Sequence, residues 1–196
     1  MAALLPRSLL YTELCTLSTY HTKTYLTMKK LLLLFFAVLL SGAVQAGTQT
    51  AKVQALFIFQ FAKYTGWPKE DAGKPFVISI VGDEDVADEL RKATQGKSVG
   101  GRGIDVVSVV SVSSLPTSDI IFLGDGMSGW MNKVANDQAD RHVLIIGGAS
   151  GLCSHGASVT FVSGGNKLTF EISERNMARH GLHMAPKLVA MGTPVP

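Results

Sequence analysis

The stretch GGASGLCSH, residues 147–155, places Ser150, Cys153 and His155 close together. A nucleophile beside an imidazole is the raw material of acyl transfer. The nucleophile elbow G-x-S-x-G is not met, because Gly151 follows Ser150 directly. Cys153 and His155 are two apart and would share one face of an extended segment, yet no third residue stands out to orient the imidazole. His180 and His183 would make a metal pair, but Gly181 interrupts their helix and no second cluster supplies ligands at zinc-like spacing. A histidine in a last helical turn instead suits the dipole there, as a solvated helix end. GKSVGGRG, residues 96–103, has the composition of a phosphate loop without its order. The P-loop needs G-x-x-x-x-G-K-[ST] between strand and helix, and here the glycines lead into a strand, as a surface loop does. IVGDEDVADEL has the strand-turn-helix form of a nucleotide unit, but one glycine and three acids, Asp83 to Asp85, occupy the turn and oppose a phosphate. The expectation is a protein that is not an enzyme, with no cofactor and no metal.

What remains conspicuous is apolar. ALFIFQFAKYTGWP, residues 55–68, holds three phenylalanines, a tyrosine and a tryptophan. From Ala51 to Tyr64 the apolar run is too long and too continuous for an alternating strand. Lys52, Gln60 and Lys63 fall on one side at 3.6 residues per turn, so the segment is a helix with a narrow polar stripe. Trp67-Pro68 ends it, since the residue before proline is pushed out of the helical region. Phe57, Phe61 and Tyr64 share roughly one face, and Ile58, Phe59 and Ala62 serve the other. Such a helix is either core alone or part core and part docking surface for a second protomer or a receptor domain. Trp67 is a residue type that anchors such contacts. Phe57, Phe59, Phe61, Tyr64 and Trp67 are therefore the candidate partner-binding residues.

The elements that would position this helix alternate along the chain. Strands are expected at 76–82 (FVISIVG), 104–112, 119–124 and 142–148, with helices at about 85–94, capped by Asp83, and 128–136. SVTFVS and KLTFEI flank Gly164-Gly165-Asn166 as a hairpin. Ser173 caps a helix through His180, stopped by Gly181, and Pro186 opens a last turn through Met191. Alternation with end-to-end apolar strands predicts an α/β fold. It is a single-domain Rossmann-like layered sandwich, mostly parallel, with a C-terminal antiparallel hairpin and an N-terminal aromatic helix.

The first quarter of the chain reads as something other than domain. Lys29 and Lys30 precede the apolar run Leu31 to Leu40, and Val44-Gln45-Ala46 closes it with small residues. This is a Sec-type signal peptide over 28–46, cleaved after Ala46, with an uncleaved anchor as the alternative. The run is short for a membrane span of about 20 residues. Residues 1–27 lack a signal's basic start and read as an extension upstream of a true start at Met28; the domain is then 47–196. Losing the leader removes Arg7, Lys23, Lys29, Lys30 and Glu13, so 14 of the 18 basic and 14 of the 15 acidic residues remain. A net charge of zero gives no electrostatic case for nucleic acid or for an anionic membrane surface. Cys15 leaves too, and Cys153 stays alone, as a buried inert thiol or one half of an intermolecular disulfide.

Several segments together resemble the YfiR-like periplasmic proteins. The aromatic helix carries Ala55, Leu56, Phe57, Phe61, Ala62, Lys63, Tyr64, Trp67 and Pro68 of that pattern. The C-terminal segment carries Phe170, Glu171, Ile172, Ala178, Gly181, Leu182, Met184, Lys187, Leu188 and Val189. Between them lie ISIVG, the loop-strand Gly96, Val99, Gly101, Arg102, Ile104 and Val106, and the strand Ile120 to Leu123. The resemblance covers residues 50–192. It implies a small periplasmic α/β regulator, without enzymatic activity, that restrains an inner-membrane diguanylate cyclase (a sensor with a GGDEF output domain) by binding its periplasmic part. It implies control of cyclic di-GMP and biofilm, and allows a homodimer. Other members sit with different membrane sensors or with outer-membrane receptors. The family's paired cysteines are not matched: Cys153 falls near one such position, but LPTSD has Thr117 and Ser118 and no partner thiol. The competing reading is a periplasmic small-ligand-binding protein working with a transporter, for which about 150 residues are few to build two lobes.

Overall fold

The computed structural model describes residues 44–68, 73–164 and 167–196. The proposed extension and most of the proposed leader lie outside the described residues, as do the turn residues 165–166. By internal contacts the chain divides between Gly47 and Thr48, within the first helix, and the compact unit from Thr48 onward holds the sheets.

In chain order its elements are α1 (Val44–Tyr64), β1 (Thr65–Gly66), β2 (Phe76–Val81), α2 (Glu84–Thr94), β3 (Ser98–Val99), β4 (Arg102–Val109), β5 (Ile120–Leu123), α3 (Met131–Asp137), β6 (Leu144–Gly147), β7 (Val159–Gly164), β8 (Lys167–Ile172), α4 (Glu174–Arg179), β9 (His183–Met184), α5 (Pro186–Val189) and β10 (Thr193–Pro194). Short 3-10 turns cover Val112–Ser114, Asp125–Trp130 and Leu152–His155.

Eight strands form one sheet in the order β10-β8-β7-β6-β5-β2-β4-β3. The run β7-β6-β5-β2-β4 is parallel, β7 and β8 form the antiparallel hairpin, and β10 adds a parallel strand beyond it. This is the expected mostly parallel α/β domain. Two-residue β1 and β9 pair antiparallel as a second small sheet. Burial is end to end in β5 and β6, as strands covered on both faces require.

Two apolar layers flank the sheet. On one face Ile58, Phe61, Ile78, Ile80, Leu90, Phe122, Phe161 and Phe170 form the larger cluster, fed by α1 and α2. On the other, Val81, Ile121, Leu123, Met131, Val134 and Ile145 form a smaller one, beneath α3 and the short turns. The caps fall where the sequence puts them: Asp83 accepts from the Val86 N–H at 3.1 Å and Ser173 from the Asn176 N–H at 3.4 Å.

Three expectations need correction. GKSVGGRG is a β3–β4 hairpin as well as a loop. Gly100 and Gly101 have φ of +58° and +84°, and two successive left-handed residues are what a two-residue hairpin turn demands. The second predicted strand ends at Val109 rather than Val112, because the chain turns into a 3-10 segment there. His180 is not a solvated helix end but buried. Its Nδ1 donates to the Arg141 carbonyl at 2.9 Å, while His142 Nδ1 donates to the His180 carbonyl at 2.8 Å.

Candidate functional site

The aromatic helix sorts its residues by one stripe of exposure. Ala51, Gln54, Ala55, Ile58, Phe59, Phe61 and Ala62 are buried, while Lys52, Leu56, Lys63 and Tyr64 are exposed. Of the five candidate docking residues, Phe61 is fully enclosed. Its ring meets Phe170 edge-on at 5.1 Å and Phe161 at 6.1 Å. Enclosing a ring of this size is worth about 1.5–3 kcal/mol. Phe57 is half-buried beside it, 6.1 Å from Phe61 and 5.4 Å from Phe170. Phe59 is buried on another side, under the Lys97 ammonium at 4.8 Å and the Lys63 ammonium at 5.6 Å. Trp67 is half-buried; its Nε1–H donates to the Ala62 carbonyl at 2.7 Å, and its ring stands edge-on to Phe76 at 4.9 Å. Tyr64 is half exposed.

What faces solvent is therefore Lys52, Leu56, the edge of Phe57, Gln60, Lys63 and Tyr64. A groove of about 260 Å³ continues this stripe, lined by Phe57, Gln60, Tyr64, Leu188 and the exposed Met191. The small β1–β9 sheet makes the groove by tying the end of α1 to the C-terminal turn. Thr65 pairs with Met184 and Gly66 with His183, and the Ala185 N–H donates to the Tyr64 carbonyl at 2.8 Å. A Cβ on Gly66 would sit 2.2 Å from the His183 ring, so a side chain there would have to push that exposed imidazole aside. The sequence showed the helix but not this clasp, since strands of two residues leave no periodic signal.

The chemical alternatives resolve differently. Cys153 is free and buried in a 3-10 turn. Its thiol meets Thr160 Oγ1 at 3.7 Å, and burial pushes it above the usual thiol range. His155 is exposed and its Nδ1 contacts Ser154 Oγ at 3.0 Å. The thiol and imidazole thus face different partners, and the extended geometry that would pair them is absent. An intermolecular disulfide at Cys153 would require this turn to open. No cluster of three metal-ligating side chains occurs among the described residues.

In open α/β sheets, ligands bind outside the carboxyl ends of the strands where strand order reverses, here between β2 and β5. Asp83 and Asp125 sit there, and a Cβ on Gly82 would meet the Met127 side chain at 2.7 Å. Burial raises the Asp83 carboxyl above its usual value, against the Val86 N–H, with Asp85 and Asp125 adding repulsion. An anion has no place in such a crevice.

The most connected polar group was missed by sequence reasoning. Arg102 and Asp119 form a buried two-point ion pair, 2.8 Å at each contact. Arg102 also donates to the Lys74 and Pro75 carbonyls and lies 5.2 Å above the Phe76 ring. The Val77 N–H donates to Asp119 at 2.7 Å. The pair floors an open cavity of about 610 Å³ at the amino ends of the strands, reached also by Thr117, Arg141 and His142. Its groups are engaged in holding β4, β5 and the approach to β2 together.

The fold and the groove define an α/β domain with an exposed, largely apolar stripe along its first helix. Residues 51–193 match the YfiR/HmsC-like family model (DUF4154), so the chain belongs to that family. The family is one of periplasmic regulators, and it implies interaction with a membrane sensor. No individually curated protein matches the chain. No helix among the described residues is long and apolar enough to cross a membrane.

Proposed function

We propose that this protein is exported by a cleaved signal peptide and works in the periplasm. There it binds and restrains the periplasmic sensor part of an inner-membrane diguanylate cyclase, lowering cyclic di-GMP. The observation that supports this most is the solvent-facing apolar stripe of α1 and its groove, in a chain of the YfiR/HmsC-like family. Monomer surfaces carry few contiguous apolar patches without a use. In this reading Leu56, Phe57, Tyr64 and Met191 touch the partner, with Trp67 at the helix end. Phe59 and Phe61 hold the helix in place from inside.

Deleting the gene should raise cellular cyclic di-GMP, and re-expression should restore it. Tyr64→Ala and Leu56→Ala should fail to restore it while melting within a few degrees of the wild type. A deletion that leaves cyclic di-GMP unchanged would remove the cyclase from the account. Full complementation by both variants would remove the stripe.

A further inference from the structure

Helix α3, the 3-10 turn Leu152–His155 and helix α4 meet around a small cavity of about 250 Å³. It shares no residue with the groove on α1. Two devices hold its walls. Gly156, with φ of +103°, lets the end of the turn rest on α3, where a Cβ would stand 2.5 Å from the Ala135 methyl. Asn176 is buried and donates both amide hydrogens, to the Cys153 and Ala157 carbonyls at 2.8 Å each, which ties α4 to the turn.

The polar groups that line this cavity are not all satisfied by the chain. His180 is 5% exposed, and its Nδ1–H goes to the Arg141 carbonyl. The Nε2 of the neutral ring is then a lone-pair acceptor. It has no partner among the described residues, and its ring lines the cavity. A buried acceptor is normally answered by a donor, so this one calls for an O–H or N–H from outside the chain. Arg179 makes one hydrogen bond, from Nη1 to Asn176 Oδ1 at 3.4 Å, long for its kind. Among the described residues no carboxylate pairs with it and none lines the cavity. A guanidinium so placed presents a planar fork that fits a carboxylate at two points. Asn132 and Asn136, one turn apart on the exposed face of α3, add amide donors and acceptors.

We propose that this cavity binds a small hydroxylated carboxylate of the sugar-acid class. Its carboxylate sits on Arg179, one hydroxyl donates to His180 Nε2, and further hydroxyls meet Asn132 and Asn136. Ala135 and Ala139 give the C–H face of such a molecule somewhere to rest. The combination selects against other classes. A simple carboxylate leaves Nε2 without a donor, and a neutral sugar leaves Arg179 without an anion. An amino acid brings an ammonium into a cavity that holds Arg179 and no carboxylate. The size agrees: pockets for drug-sized ligands run about 300–1,000 Å³, and this one suits something smaller.

The test is titration of the mature chain with D-glucuronate and with D-gluconate, followed by calorimetry and by nitrogen-15 spectra of the histidines. At least one should bind saturably in the millimolar range or below. Binding should move the His180 Nε2 resonance and leave its Nδ1 proton in place. Glucose, without the carboxylate, and acetate, without the hydroxyls, should each bind at least tenfold more weakly. Arg179→Ala should weaken binding at least tenfold, about 1.4 kcal/mol, and Arg179→Lys should recover only part of it. Asn136→Asp, an exposed change that sets a like charge in the wall, should weaken it as much, with an unchanged melt. Tyr64→Ala should leave the affinity as it is, which separates this site from the surface on α1. Saturable binding of neither sugar acid, equal binding of glucose or acetate, or full affinity in Arg179→Ala or Asn136→Asp would overturn the proposal and leave a cavity that holds only water.

Discussion

The two ends of the parallel sheet are built on opposite principles. At the amino ends, Arg102 and Asp119 neutralise each other in burial and bind three backbone groups, those of Lys74, Pro75 and Val77. At the carboxyl ends, where α/β enzymes keep their chemistry, Asp83 feels the repulsion of Asp85 and Asp125, and the Met127 side chain packs against Gly82. The carboxyl end is acidic, and the polar cluster at the amino end ties strands together. The exposed apolar flank of α1 lies away from both ends, which is why the proposed docking surface is put there.

The contrast breaks hardest at the ion pair. Removing one partner leaves a buried charge alone, so Arg102→Ala or Asp119→Ala should each cost about 3–5 kcal/mol in urea unfolding. Arg102→Lys should recover little, because an ammonium cannot reproduce a two-point bond to a carboxylate. The carboxyl end should respond less. Gly82 has φ of +71°, so Gly82→Ala should cost about 1–2 kcal/mol from backbone strain, plus whatever displacing Met127 adds. Asp83→Ala should cost about 1 kcal/mol as a lost cap.

Asp83→Asn keeps the cap and sharpens the comparison through pH. The folded-state value of Asp83 is raised, so the folded protein binds more protons than the unfolded chain between the ordinary and the raised value. Wild-type stability contributed by this group therefore falls as pH rises through that interval. Asp83→Asn should match or exceed the wild type at pH 7 and lose ground as the pH drops below the interval, read from melts across the acid range. The smallest effect belongs to Tyr64→Ala on the α1 stripe, within about 0.5 kcal/mol for a surface change. A large loss there would mean that Tyr64 supports the fold instead of facing a partner.

How far the sequence carried these features depends on their range. The strands at 76–82 and 119–124, the caps at Asp83 and Ser173 and the aromatic helix were legible, because each is written in local periodicity or in one residue beside a run. The GxxVxGR pattern pointed at Arg102 but not at what it holds. Asp119 is 17 residues away and reaches Arg102 only because β4 and β5 flank β2, a fact of topology with no local signature. The exposed stripe of α1 was harder still. Phe57, Phe59 and Phe61 look alike in sequence, yet only the placement of β7, β8 and Lys97 decides which rings are enclosed. His180 was misplaced for the same reason, since the loop that covers it begins 39 residues earlier.

That loop also fixes the protons. Both acceptors in the His142–His180 exchange are carbonyl oxygens, so each ring must carry hydrogen on Nδ1. When neutral, both imidazoles are therefore locked in the less common tautomer, with Nε2 bare. Nitrogen-15 spectra should show two histidines of this kind, the buried His180 exchanging its Nδ1 proton more slowly than the exposed His142, and loss of the pair would report α4 letting go of the sheet.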